Sequence, residues 1–113
     1  MSDTQQRIDE LVKSNDILLF MKGNASFPQC GFSGRAIQVL KACGVDPKTV
    51  KTVNVLEDAE IRQGIKDYSN WPTVPQLYIK GEFIGGCDIV REMFQAGELK
   101  EQLIEHGIEV RAA

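Results

Sequence analysis

The sequence predicts an α/β domain in which one mixed four-stranded β-sheet is flanked by helices. Three observations carry that prediction. Short apolar runs alternate with segments of helical period. Ile17-Leu18-Leu19-Phe20-Met21 is apolar throughout, as in a strand buried on both faces. Lys80-Gly81 separates two strand-like segments in the manner of a hairpin turn. With 113 residues, 42% of them hydrophobic and 26% charged, the chain suits a single domain over residues 1–113 with a core of its own.

Taken in order, Ile8, Leu11 and Val12 lie at helical spacing behind Ser2, Asp3 or Thr4 as candidate caps, and Asn15-Asp16 ends this first helix. The Ile17–Met21 strand follows, and Lys22-Gly23-Asn24 breaks it into a loop. Phe32, Ala36, Ile37, Leu40 and Cys43 then recur three and four apart; Gly44 sits where a helix C′ glycine belongs, with Pro47 beyond. They predict a second helix over about 31–42, whose start Gly34, a poor helix residue, is expected to loosen. Val50, Val53 and Val55 bracket a second strand, parallel to the first because a helix intervenes. Asp58 can cap a third helix bearing Ile61, Ile65 and Tyr68, which Ser69-Asn70-Trp71-Pro72 stops. Gln76–Ile79 and Glu82–Ile84 make the hairpin strands. After Gly85-Gly86, Cys87-Asp88 opens a helix with Ile89, Val90, Met93 and Phe94, and a last helix follows Gly97 with Leu99, Leu103 and Ile104 on its apolar face.

Composition narrows the function. A formal net charge of -3 with scattered Lys and Arg argues against a nucleic-acid binder, which needs a basic surface for phosphate. No apolar run approaches the length that crosses a bilayer, so no membrane partner is expected. Three cysteines do not make a secreted disulfide framework, which points to a reducing compartment, the cytoplasm. Residues 1–12 mix Asp3, Asp9 and Glu10 with polar residues and read as folded protein rather than a targeting segment.

Chemistry concentrates at Cys30-Gly31-Phe32-Ser33. The thiol follows a proline-containing loop and precedes a helix, so unpaired backbone N–H groups and the positive end of the helix dipole should favour its thiolate. A thiolate is both a nucleophile and a soft-metal ligand, which nominates Cys30 for catalytic or metal work. The resolving cysteine of a Cys-x-x-Cys motif is replaced by Ser33. Cys43 cannot pair with Cys30: thirteen residues of helix separate them by roughly 20 Å, against the ~7 Å Cα limit for a disulfide. Cys87 opens its helix and is either activated as Cys30 is or simply packed. By residue type alone, a trans Val74-Pro75 bond, Asp88 as a helix cap, Lys22 and Arg62 as solvated charges and His106 as an exposed, unpartnered ring are the ordinary expectations.

With Cys30-Gly31-Phe32-Ser33, Trp71-Pro72-Thr73-Val74-Pro75 and Gly85-Gly86-Cys87-Asp88 in this order and spacing, nearly the whole chain resembles the monothiol glutaredoxins of the CGFS type, in their short single-domain form with a thioredoxin-like fold. The resemblance implies that Pro75 is cis and that glutathione lies across Lys22, Arg62, Val74, Cys87 and Asp88 with its thiol near Cys30. Chemistry suits those positions. Lys22 and Arg62 match the glycine carboxylate, the Val74 backbone matches the cysteinyl amide, and Asp88 matches the γ-glutamyl ammonium. The resemblance further implies a [2Fe-2S] cluster bridging two protomers, with handover to apo iron-sulfur acceptor proteins and pairing with a BolA-like protein. Ligand counting agrees. A cluster needs four thiolate-class ligands, and two Cys30 sulfurs plus two glutathione sulfurs supply them. Two other functions stay open at this point: glutathione-dependent thiol-disulfide exchange through Cys30, and an interaction domain whose thiol is inert.

Overall fold

The computed structural model describes residues 2–110. Helix α1 (Asp3–Ser14) begins at Ser2, whose hydroxyl accepts the Gln5 N–H at 3.1 Å, and it leads into β1 (Ile17–Met21). Helix α2 (Gly31–Ala42) occupies the predicted span; Gly44 behind it takes a φ of 92°, the left-handed conformation that ends a helix cheaply only at glycine. A short 3-10 turn over Pro47–Thr49, absent from the sequence reading, starts where Asp46 Oδ1 accepts the Lys48 N–H at 3.0 Å. Then follow β2 (Val50–Asn54), α3 (Ala59–Ser69), β3 (Gln76–Ile79), β4 (Glu82–Gly85), α4 (Cys87–Gln95) and α5 (Glu98–Glu105). Asp58 caps α3 as expected, accepting the Glu60 and Ile61 N–H groups at 3.1 Å each.

The sheet has the strand order β2-β1-β3-β4, with β1–β2 parallel and the other pairs antiparallel. Because β1 lies inside the sheet and side chains alternate along a strand, its run divides between two cores. Ile17, Leu19 and Met21 pack with α2, α4 and α5 through Ala36, Leu40, Val90, Leu99 and Leu103. Leu18 and Phe20 face the other way, joining Tyr78 and Ile8, Val12, Ile61 and Ile65 of α1 and α3. The result is a three-layer helix-sheet-helix sandwich. In the hairpin turn both Lys80 (φ 51°) and Gly81 (φ 83°) are left-handed, where glycine alone had been expected. Lys80 adopts the less favoured conformation with its N–H bonded to Asp16 O at 2.8 Å and its ammonium 3.0 Å from the Asp16 carboxylate.

Two expectations give way. Gly34 does not loosen α2, since its own N–H bonds Cys30 O at 3.0 Å and the helix is continuous from Gly31. His106 is half-buried rather than free: one ring nitrogen lies 2.7 Å from Gln102 O and the other 3.2 Å from the Glu82 carboxylate on the hairpin. Sequence could not supply that partner, because it lies 24 residues away across a packed interface. Ile65, fully buried on α3, fixes the helix that carries Arg62 against the sheet. Truncation by Ile65→Ala is expected to cost about 2–5 kcal/mol through lost burial and a residual cavity, read as a lower urea midpoint with unchanged slope.

Candidate functional site

The loop between β1 and α2 is folded back on itself. Gly23 has a φ of 87°, and a Cβ there would lie 2.5 Å from Phe27 O and 2.6 Å from Gln29 N, so only glycine fits. The Gln29 N–H bonds Lys22 O at 2.9 Å, and Asn24 Oδ1 accepts the Ser26 and Phe27 N–H groups at 3.0 and 2.8 Å. From β2, Asn54 Oδ1 accepts the Gly23 N–H at 2.9 Å. These bonds deliver Cys30 in extended conformation to the N-cap of α2, half-buried, with no side-chain bond closing the helix end. The first N–H groups of α2 therefore face the sulfur. The Ser33 N–H is the main cause that holds the Cys30 thiol below its ordinary pKa; burial opposes it, and the Phe32 N–H, the Lys22 charge and the Ser33 hydroxyl add to it.

The other thiols behave oppositely. Cys43, at the C-cap of α2, is buried, and burial pushes its pKa up. Cys87 is the first residue of α4 and 7% exposed; burial raises its pKa, the neighbouring Asp88 charge adds to the rise, and Arg35 and Arg91 partly offset it. Of the two readings left open for Cys87, the packed thiol is the one the surroundings favour. All three cysteines are free.

Beyond Cys30 the segment from Trp71 to Pro75 forms one wall. Its Val74-Pro75 peptide bond is cis, against the ordinary expectation and in agreement with the resemblance. Gln76, fully buried at the start of β3, holds this wall by donating its side-chain amide to Trp71 O at 3.1 Å and Thr73 O at 3.2 Å. Two recesses meet at Val74. One is lined by Phe32, Trp71, Val74, Pro75, Cys87 and Asp88, the other by Lys22, Arg62, Lys66, Pro72, Thr73 and Val74. Every sequence-predicted binding residue, Lys22, Arg62, Val74, Cys87 and Asp88, thus lines one of two adjoining hollows. Cys30 sits close to both, near enough for its sulfur to feel Lys22 and to influence Cys87.

The charges in these hollows are polarised. Lys22, Arg62 and Lys66 form no ion pair among the described residues, although Lys22 and Lys66 are half-buried. At the far end Asp88 is exposed, with Arg91 at 3.7 Å, and it does not cap α4; Gly86 does, without a side-chain bond, leaving the first N–H groups of that helix open. Phe32 turns outward, 56% exposed, rather than into the core. Sequence reading gave no role in the site to four residues: Lys66, one turn beyond Arg62 on α3; Trp71, quoted only within its motif, whose ring lines the first recess; Gln76, the buried amide; and Ser33, noted only in place of a resolving cysteine, whose Oγ accepts the Lys22 N–H at 3.0 Å. A signal existed for Gln76, a polar residue opening an apolar strand run.

A family model described as Glutaredoxin matches residues 17–84. An uncharacterised monothiol glutaredoxin, ycf64-like, from Synechocystis is 54% identical over 101 residues, covering 89% of this chain and 92% of that protein. The solution structure of reduced poplar apo GrxS14 superposes with a TM-score of 0.78 at 48% identity, over 91% of this chain and 92% of that one. A buckwheat glutaredoxin-glutathione complex aligns with a TM-score of 0.79 at 28% identity, covering 94% of this chain and 93% of that one.

The three thiols should separate under alkylation. With iodoacetamide followed by peptide mass spectrometry, Cys30 is expected to react first at neutral pH, with a midpoint below the ~8.5 of an ordinary thiol, while Cys43 and Cys87 lag. Equal rates for all three would contradict the site's electrostatics.

Proposed function

This chain belongs to the glutaredoxin family, in its monothiol branch, and we propose that it is a glutathione-dependent carrier of [2Fe-2S] clusters, which it binds between two copies of itself and hands to apo iron-sulfur proteins. The observation that carries the reading is the polarity of the two hollows. Unpaired Lys22 and Arg62, with Lys66 beside them, suit the glycine carboxylate of glutathione. Asp88 and the open start of α4 suit the γ-glutamyl ammonium and carboxylate at the other end. The Val74 backbone lies between, where an extended peptide needs a partner for its amide, and Cys30, whose thiol is held low, stands beside the position of the glutathione sulfur. The glutathione bound by the buckwheat relative supports the same assignment.

The cluster is cargo here, and the donor set fits its being shared. Among the described residues no group of three or more Cys, His, Asp or Glu could hold a metal, and of the three free thiols Cys30 is the one held low while burial pushes Cys43 and Cys87 up, so in this reading each chain contributes the Cys30 sulfur. Four thiolates then require a second protomer and two glutathiones. Ligation half-built from an exchangeable tripeptide leaves the cargo removable. One domain over residues 1–113, a cytoplasmic reducing setting that keeps the three thiols free, and a BolA-like protein as alternative partner belong to the same reading. No helix among the described residues is long and apolar enough to cross a membrane.

A second reading uses the same thiol as an enzyme. The Cys30 thiolate attacks the glutathione sulfur of a protein-glutathione mixed disulfide, and the protein thiolate leaves and takes up a proton. A second glutathione thiolate then attacks the glutathione sulfur bound to Cys30, releasing glutathione disulfide and the Cys30 thiolate. Its support is the low-held thiol, which is common to both readings.

Trp71 is the chain's one tryptophan and lines the first recess, so its fluorescence reports occupancy. Glutathione should change that emission saturably. Lys22→Ala and Asp88→Ala should each weaken binding about tenfold or more, the scale of one charge-assisted contact. Anaerobic supply of iron, sulfide and glutathione should give a coloured dimer from the parent chain and none from Cys30→Ser. A Cys30→Ser protein that still takes up colour would overturn the carrier reading, and efficient turnover of a glutathione mixed disulfide without colour would install the enzyme instead.

A further inference from the structure

The two ends of the groove that suits glutathione are carried by helices on opposite faces of the sheet. Arg62 and Lys66 belong to α3, which packs on one face through Ile61 and Ile65. Asp88 belongs to α4, which packs on the other face through Val90. The two helices are seated independently, with the sheet between them. A fixed span across both needs a connection at the rim.

Trp71 makes that connection. Its backbone N–H donates to Ser69 Oγ at 3.1 Å, and the Ser69 hydroxyl donates in turn to Ile65 O at 2.7 Å, which ties Trp71 to the last turn of α3. Its carbonyl accepts the Gln76 side-chain amide at 3.1 Å. Its indole reaches the start of α4. A Cβ on Gly86, the N-cap of that helix, would lie 3.0 Å from Trp71 Nε1 and 3.3 Å from Pro75 O, so the ring rests on bare backbone just before Cys87. On β4 it meets Phe83, with ring centroids 6.1 Å apart. Trp71 Nε1 is the one buried side-chain polar atom among the described residues without a hydrogen-bond partner, a loss of about 1–3 kcal/mol. Contact with Gly86, and no hydrogen bond of its own, decides where the indole sits.

We infer that Trp71 is a positioning residue: wedged on Gly86, it fixes the span between the α3 cations and the start of α4, and so fits the groove to the length of glutathione. This role rests on glutathione binding as proposed above and adds what selects that tripeptide among its homologues. Both ends of the ligand are charged, and a charge-assisted contact weakens steeply when its partner is displaced by the length of one bond. A groove of fixed span therefore rejects a longer tripeptide, whereas one free to spread admits it. Thr73 and Val74 follow Trp71 in the chain and line both hollows, so a shift of the wedge reaches the middle of the groove as well.

Isothermal titration calorimetry with glutathione and with γ-glutamylcysteinyl-β-alanine, longer by one methylene, tests the span without relying on Trp71 emission. The parent chain should prefer glutathione about tenfold or more, the scale of one charge-assisted contact. Trp71→Phe shortens the wedge, and Gly86→Ala pushes it aside with a methyl group. Each should bind glutathione more weakly and bring the two affinities close to equal, and the double variant should do little more than either single one, since both changes release one contact. Circular dichroism checks that the variants are folded, and Gly86→Ala decides the matter where Trp71→Phe is not. Variants that keep the parent chain's preference, at whatever affinity, confine Trp71 to supporting the fold and overturn the span. A parent chain that binds both tripeptides equally also overturns it and leaves glutathione binding standing. A parent chain that binds neither overturns both.

Discussion

The hydrogen bond from the Lys22 N–H to the Ser33 hydroxyl, 3.0 Å long and buried on the serine side, joins the end of β1 to the first turn of α2. The site depends on that junction. It sets the cationic end of one hollow and the start of the helix that presents Cys30 at a fixed offset, while Asn54 ties the same loop to β2 and Gly23 supplies the only backbone that can make the turn. Both strands belong to the sheet interior or its parallel pair, so the sulfur inherits the rigidity of the central layer. A cysteine in place of Ser33 would put a sulfur where this bond now closes. The serine is thus a fastener between two binding elements as well as the absence of a resolving thiol.

Position in the fold divides the three cysteines into one reactive and two quiet thiols. Cys30 faces the unpaired N–H groups of a helix start, which stabilise negative charge. Cys87 also begins a helix, yet burial and the adjacent Asp88 outweigh the favourable dipole. Helix position alone therefore does not activate a thiol; access to water and the sign of the nearest charge decide it. A buried, protonated Cys87 leaves each chain with one competent sulfur, and a chain with one competent sulfur must borrow ligands to hold a cluster.

The fold was largely legible in the sequence because its signals are local. An unbroken apolar run marked β1, Gly44 marked the end of α2, and Asp58 marked the start of α3. The residues of the site were legible through the resemblance carried by three motifs, which physical reasoning on single residues would have left as ordinary surface charges and a trans proline. What stayed hidden depends on how the elements pack. Lys66 shares a helix face with Arg62 one turn away, but only the packing of α3 brings that face to the hollow with Lys22 and Val74, and Gln76 is buried because the turn through Pro75 folds the Trp71 and Thr73 carbonyls back onto its amide.

The central claim is that Cys30 supplies one quarter of a shared ligand set whose other half is glutathione. Native mass spectrometry of the anaerobically reconstituted protein weighs that set directly. The account predicts a dimer whose added mass equals one [2Fe-2S] cluster and two glutathiones, all lost together when glutathione is withdrawn. A cluster-bearing species without glutathione mass, or one built on a single chain, would contradict it.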